Sequence, residues 1–345
     1  MLRRDIAGEI VGSCVAHLFS LLGSNGKFTY AHRQFAPEEA REGYNLLRHC
    51  GTVWFMCKAI RSLAIELTPQ QRQSLAAALG YIRSKTKEPP WAAGLLPTLC
   101  MTSKDVVKLG GVGLAALMIR ESAALGQIDE ASLAALYPEG PELHCIRLEN
   151  YIVAQLNGHD FFHKRVFTTG EILPFESDYY TGEALFALMR SPRRVPRVRT
   201  VMEQLLDRGY GLPQQSHWMA YAACAALRAD YCDAATVLTY IERLIDRIIS
   251  DPSYRQRQES TPIACRTEAL VEILQAHRQV AWLGRHLAPT LVDAARATVV
   301  ENLTLQLRYY GEGQFKKGRD SDKVQIDYIQ HNGAAFLGWS ALADQ

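Results

Sequence analysis

Two kinds of apolar pattern alternate along the 345-residue chain. The first is amphipathic. Residues 6–22 place Ile6, Ile10, Cys14, Leu18 and Leu22 four apart, the stripe of a helix with one buried face. The stretch TPQQRQSLAAALGYIR, from Thr68, opens with a capping residue and a Pro at the first helical position. Residues 142–156, 195–206, 234–249 and 289–307 also set charges on one face and Leu, Val or Ile on the other. The second kind opens with a few polar or aromatic residues and then runs on as Gly, Ala and Leu. Its six copies are YNLLRHCGTVWFMCKAI (44–60), VKLGGVGLAALMI (107–119), YYTGEALFALM (179–189), SHWMAYAACAAL (216–227), STPIACRTEALVEIL (260–274) and IDYIQHNGAAFLGWSAL (326–342).

A helix that is apolar nearly all round touches neighbours on both sides. Six such helices, each preceded by an amphipathic one, predict an all-α (α/α)6 toroid, a single domain over 1–345. An open solenoid is the rival, with similar repeats and no closure. Three amphipathic segments lead into a glycine turn followed by an aromatic: LLGSNGKFTY, LNGHDFFH and YYGEGQFKKG. These predict short β-hairpin excursions.

In a closed toroid the inner helices run parallel and their polar openings converge on one mouth, where backbone N–H groups favour negative charge. Capping accounts for Ser216, Thr261 and Asp327. It does not account for Arg48, His49, His217, Trp218 and Arg266, which are poor caps. The candidate catalytic residues are therefore Glu183, Glu268, Asp327, His217 and His331. Candidate substrate-binding residues are Tyr44, Asn45, Arg48, His49, Lys108, Tyr179, Tyr180, Trp218, Arg266 and Asn332. Paired carboxylates suit glycoside cleavage, one protonated and one ionised. A histidine with a neighbouring tyrosine suits proton abstraction next to a carboxylate, the first step of epimerisation or lyase chemistry. Arg48, Lys108 and Arg266 suit an anionic substrate. A salt bridge with Arg266 or another ring cation is the competing explanation for Glu268.

Composition narrows this only a little. A formal charge of +2 gives no large field, so nucleic acid is not implied. The one dense basic run, SPRRVPRVR (191–199), reads as a solvated loop entering a helix. The eight cysteines form no C-x-x-C pair and most sit in apolar runs, which predicts reduced, buried thiols and a cytoplasmic protein. Asp5 and Glu9 interrupt the first apolar stretch, so a signal peptide is not expected, and no apolar run is long enough to span a membrane. No cofactor is implied. His159 and His163 in HDFFH have metal-binding spacing but no evident third ligand, and GRDSDK (318–323) is a short acidic loop with basic neighbours. Oligomeric state is not encoded legibly.

The layout resembles the six-hairpin toroids of carbohydrate-active enzymes: unsaturated glucuronyl hydrolases, N-acylglucosamine 2-epimerases and the toroidal domain of glucuronyl C5-epimerases. The stretches NGKFTY, YNLLRHCGT, VKLGGVGLAAL, YYTGEALFAL, HWMAYA, STPIACRTEAL and IDYIQHNGAAFL also look like an uncharacterised bacterial family with such a toroid, over residues 25–340. The resemblance implies architecture and substrate class, and no catalytic assignment. The expected function is a glycan-processing enzyme, first a glycoside hydrolase acting on an acidic, uronic-acid-type saccharide. The alternative is a sugar epimerase or polysaccharide lyase using His and Tyr. An isoprenoid cyclase-like enzyme is disfavoured because no adjacent Asp-Asp pair occurs. A non-catalytic binding module requires a closed mouth or polar residues paired only with one another.

Overall fold

The computed structural model describes residues 3–39, 43–92 and 96–342. Its helices are α1 (Arg4–Ser20), α2 (Leu46–Ser62), α3 (Pro69–Lys85), α4 (Leu109–Leu125), α5 (Glu130–Leu136), α6 (Pro141–Ala154), α7 (Tyr180–Met189) and α8 (Pro196–Asp207). They continue as α9 (His217–Arg228), α10 (Ala234–Ser250), α11 (Ser253–Gln256), α12 (Ser260–Gln279), α13 (Ala281–His286), α14 (Pro289–Gln306) and α15 (Ile326–Ser340).

The six apolar segments are α2, α4, α7, α9, α12 and α15. Each packs on the next, and α15 packs back on α2, so the ring is closed and the open solenoid is excluded. The fold is an (α/α)6 toroid. Amphipathic helices lie outside, with α1 against α15 and α2, α6 against α4, α10 against α9 and α14 against α12. Contacts fix the inner helices as parallel. Near their starts Arg48 of α2 meets Asp327 of α15, and His217 of α9 meets His331 of α15. Near their ends Arg61 of α2 meets Glu121 of α4, and Arg228 of α9 meets Glu272 of α12.

Local sequence sets the helix starts. Thr68 and Gln71 form a capping box for α3, and Asn45 and Ser216 cap α2 and α9 through their side chains. Thr261 was expected among the caps, but its hydroxyl is buried without a hydrogen-bond partner. Small residues set the spacing of the inner ring. A Cβ at Gly113 of α4 would lie 2.8 Å from the Glu183 carbonyl oxygen of α7, closer than a real Cβ comes. All eight cysteines are free and buried.

The three glycine turns each close with an antiparallel bridge onto the aromatic: Leu22 with Phe28, Leu156 with Phe161 and Tyr310 with Phe315. The hairpins are not isolated, however. Their strands are β1 (Ala31–Arg33), β2 (Ala36–Glu39), β3 (Thr86–Lys87), β4 (Cys100–Ser103), β5 (Val106–Lys108), β6 (Lys164–Val166), β7 (Tyr310–Gly311), β8 (Gln314–Gly318) and β9 (Ser321–Gln325). They assemble into two antiparallel sheets, ordered β2-β1-β9-β8-β7 and β3-β4-β5-β6. A hairpin alone exposes unpaired edge groups, and pairing across neighbouring loops satisfies them. The β1–β9 pairing, from Ala31 with Gln325 to Arg33 with Lys323, joins the first hairpin of the ring to the last. β5 and β9 run directly into α4 and α15, so both sheets sit at the mouth where the inner helices begin.

Gly113→Ala tests the ring spacing. Its methyl meets the backbone of α7, which cannot swing away as a side chain can. We expect a loss of about 1–3 kcal/mol, measured by urea denaturation. An unchanged midpoint would show that the α4–α7 contact is looser than described.

Candidate active site

The mouth at the inner-helix starts holds a compact polar cluster. His217, Cys265, Glu268 and His331 each offer one donor atom, and these atoms lie within 4.8 Å of one another. They come from three helices: His217 opens α9, Cys265 and Glu268 lie one and two turns into α12, and His331 lies one turn into α15. His331 Nδ1 is 2.7 Å from Glu268 Oε1, so that nitrogen carries the proton and donates. Glu268 Oε2 accepts from the Tyr221 hydroxyl at 3.0 Å. The His217 ring stands at right angles to that of His331, with centroids 5.1 Å apart. Its Nε2 is buried and has no hydrogen-bond partner.

Burial and neighbouring charge separate the two imidazoles. His217 is pushed well below the ordinary histidine value of 6.5, first by burial and then by the charges of His331 and Arg266. It is neutral at pH 7. Burial opposes the charge on His331, but Cys265 and Glu268 beside it prevail and hold it well above 6.5. The pair is therefore one neutral base and one imidazolium in contact.

Two further carboxyls flank the cluster. Glu183, in the first turn of α7, is buried with Oε2 unpartnered, and burial pushes it up to about 8 against the charge of His331. It fits because Gly110 has no side chain: a Cβ there would overlap Glu183 Oε2. Asp327 is raised by burial, opposed by Arg48 and His331. Arg48 Nε lies 3.1 Å from Asp327 Oδ2, and the same guanidinium donates to the Tyr30 hydroxyl at 2.6 Å and to Gln325 at 3.2 Å. Asp327 Oδ1 is left without a partner.

Not every residue expected at the mouth reaches the cluster. His49 points outward to α3: Nε2 meets the Ala78 carbonyl at 3.1 Å and Nδ1 the Tyr44 hydroxyl at 2.7 Å, so both nitrogens tie the wall together. Asn45 caps α2. Tyr44, Asn45 and Lys108 line a separate cleft of about 400 Å³ with Lys104 and Lys164. Arg266 turns away from Glu268 and donates to Gln215 Oε1 and the Gln214 carbonyl, so the ring cation that Glu268 pairs with is His331 and not Arg266. Asn332 is buried and donates to the Tyr328 carbonyl. Trp218 stacks among Trp54, Phe186 and Tyr221 in an aromatic plug beneath His217. Tyr180 packs on His163 and Phe175. Tyr179 is half exposed beside His217, and the His331 side chain is 14% exposed, so the cluster opens to solvent. Cys265 and Tyr221 were not anticipated. Tyr221 lies four residues after His217, one turn along the same helix face, and that spacing was the available signal.

The four-donor cluster is also a set that zinc accepts, two imidazoles with a thiol and a carboxylate. As arranged, His331 and Glu268 hydrogen-bond to each other, which occupies one donor atom of each. His159 and His163 do not make such a site: His159 is exposed, while His163 is engaged by Thr181 and the Ser177 amide. GRDSDK forms the β8–β9 turn.

No protein-family model matches this chain, and no curated protein matches it in sequence. Solved structures do. A D-mannose isomerase superposes with a TM-score of 0.63 at 9% identity, over 96% of this chain and 97% of that one. The cellulase Cel9M of C. cellulolyticum gives 0.51 at 9% identity, over 97% of this chain and 98% of its own. Both are six-hairpin glycosidase-like toroids, and the likeness at this identity is one of fold. No helix among the described residues is long and apolar enough to cross a membrane.

Glu183 makes stability depend on pH. Its folded value is raised, so its contribution is fully present below the carboxyl's ordinary 4.5 and is lost as pH rises towards about 8. The loss is up to ~5 kcal/mol across that window. Glu183→Gln keeps the shape without the charge. Urea denaturation should show the variant level with wild type near pH 5 and more stable by a few kcal/mol near pH 9. Equal stabilities at the higher pH would mean that Glu183 ionises without penalty.

Proposed function

We propose that this chain is a carbohydrate-processing enzyme that moves a proton along the carbon backbone of a sugar, an isomerase or epimerase. The observation that carries the reading is the unpartnered, buried His217 Nε2 beside a second histidine held by Glu268. His217 Nε2 removes the proton from the carbon next to the carbonyl. The electron pair of that C–H bond becomes the C=C bond of an enediol, and His331 gives a proton to the carbonyl oxygen. Return of the carbon-bound proton to the neighbouring carbon, with loss of a hydroxyl proton to His331, interchanges aldose and ketose. Return to the same carbon from the other face inverts it. Tyr221 and the Glu268 carboxylate orient His331 and stabilise its charge. Arg48, with Asp327, lies at the same mouth and suits the substrate's oxygens. The fold likeness to a D-mannose isomerase is compatible with this assignment, and so is the likeness to a cellulase, so the choice rests on the side chains.

Glycoside hydrolysis is the second reading, and one observation favours it. Glu183 is held protonated, as a general acid must be, and Asp327 Oδ1 is free. It ranks second because Glu268 has both oxygens engaged and Asp327 is paired with Arg48. An acidic, uronic-acid-type substrate accords with Arg48 and with the lysines of the neighbouring cleft.

Incubation with a panel of aldoses, ketoses and uronic acids in D₂O tests the assignment, since proton transfer through solvent-exchanging histidines incorporates deuterium at the carbon next to the carbonyl. His217→Ala should lower turnover by roughly 10²–10⁴-fold with the fold intact by circular dichroism. The rate should stay flat through pH 6.5, falling only well below it as His217 gains a proton and well above it as His331 loses one. Full activity of His217→Ala with inactive Glu183→Gln would overturn this reading in favour of hydrolysis. Inactivation by a chelator, reversed by zinc, would overturn it in favour of a metal centre.

A further inference from the structure

The toroid has a second mouth, where the inner helices end, and it holds a cavity of about 720 Å³. None of the histidine cluster lines it. The aromatic plug separates the two, with Trp54, Phe186 and Tyr221 forming its floor. Its walls carry six cations and three carboxylates. That excess of three exceeds the +2 of the whole chain, so positive charge is concentrated here.

Helix C-termini favour cations, and part of the charge answers that need. Arg61 and Arg228 lie in last turns and pair with Glu121 and Glu272. Arg120 is held by Glu142 and by Glu149 behind it. Three cations remain. The Lys58 ammonium has no carboxylate among its described contacts and lies 5.2 Å from the centre of the Trp54 ring and 5.5 Å from that of Tyr221. Among the described residues the nearest carboxylate to Arg190 is that of Glu121, at 3.9 Å. Among the described residues Arg194 donates to the carbonyls of Ser191, Arg193 and Ala229 and to no carboxylate. Arg194 belongs to the basic run expected from the sequence to be a solvated loop, and with Ser191 and Pro192 it forms one rim of the cavity.

We infer that this second mouth binds a phosphorylated small molecule, its phosphate against Lys58, Arg190 and Arg194 and its ring on the aromatic floor. A volume of this size accommodates a ring with one phosphate. Guanidinium groups with unused N–H donors are suited to phosphate oxygens. The site is independent of the reaction proposed for the other mouth.

Isothermal titration of the full chain with inorganic phosphate, a hexose phosphate and adenosine monophosphate tests it. At least one organic phosphate should bind at one site per chain, more tightly than inorganic phosphate, and the two organic probes distinguish a sugar ring from a nucleobase. Lys58→Ala combined with Arg194→Ala should weaken it about tenfold or more, while His217→Ala leaves it unchanged. Lys58→Gln alone, which keeps the packing over Trp54, should give a smaller loss in the same direction. No binding of any probe to folded wild-type protein at millimolar concentration would overturn the inference. So would binding that survives the double substitution but is lost in His217→Ala, since that places the phosphate at the first mouth.

Discussion

A helix flanked on both sides by other helices, and backed by a third, has no face left for water. Closure of the ring imposes that condition on α2, α4, α7, α9, α12 and α15 together. Their middles are therefore small and apolar, and every polar group inside the ring must be paired, neutralised or unsatisfied at a penalty. Glu183 illustrates neutralisation, His331 with Glu268 pairing, and His217 Nε2 the unsatisfied case. An apolar ring could have closed without any of them. Unpartnered atoms occur elsewhere in the chain too, but here Glu183 Oε2, His217 Nε2 and Asp327 Oδ1 stand near the paired His331 and Glu268, a grouping that stability alone does not require.

The same closure sets the electrostatics. Parallel inner helices direct their N-termini at one mouth, where the summed dipoles disfavour cations. Arg48 sits in the first turn of α2 against that field, and Asp327 in the first turn of α15 offsets it. His331 carries its charge against burial because Cys265 and Glu268 stand beside it, and that charge adds to the burial that already holds His217 neutral. Removing Glu268 would thus take away one of the two groups that hold the His331 charge, while burial would still keep His217 neutral. Pairs of titratable groups driven apart by their surroundings mark a proton-transfer site more specifically than any single residue type does.

The fold was legible in the sequence because closure leaves a periodic mark: six amphipathic helices alternating with six that are apolar throughout. The pairing of the glycine turns into two sheets was not, since cross-strand partners such as Ala31 and Gln325 lie at opposite ends of the chain. The site was legible in part. His217, Glu268 and His331 were recognisable as polar residues near inner-helix starts, and they meet. Arg48 and His49 share that position in the sequence, yet one reaches Asp327 on the adjacent inner helix and the other reaches α3 outside the ring. A helix with an apolar stripe announces which way it faces, and one that is apolar all round does not. Rotational phase was therefore the missing quantity for these two, whereas Tyr44 and Asn45 lie apart from the cluster because they precede the first turn of α2, where Asn45 is the cap. Cys265 was read as an ordinary buried thiol for a related reason: burial in a helix wall and burial in a site look alike until the neighbours are known.

Phase also explains how one ring can present two dissimilar ends. Along α9, His217 faces the first mouth, Trp218 and Tyr221 fill the plug, and Arg228 reaches the second mouth. Along α2 the order is Arg48, Trp54, then Lys58 and Arg61. These two helices thus place polar groups at both ends and bulk in the middle, and the aromatic layer separates the two polar regions. A water-filled channel in its place would solvate His217 and remove the desolvation that keeps it neutral. The plug residues, which touch no substrate in the proposed reaction, accordingly hold the proton-transfer pair in its asymmetric state by excluding water from beneath it.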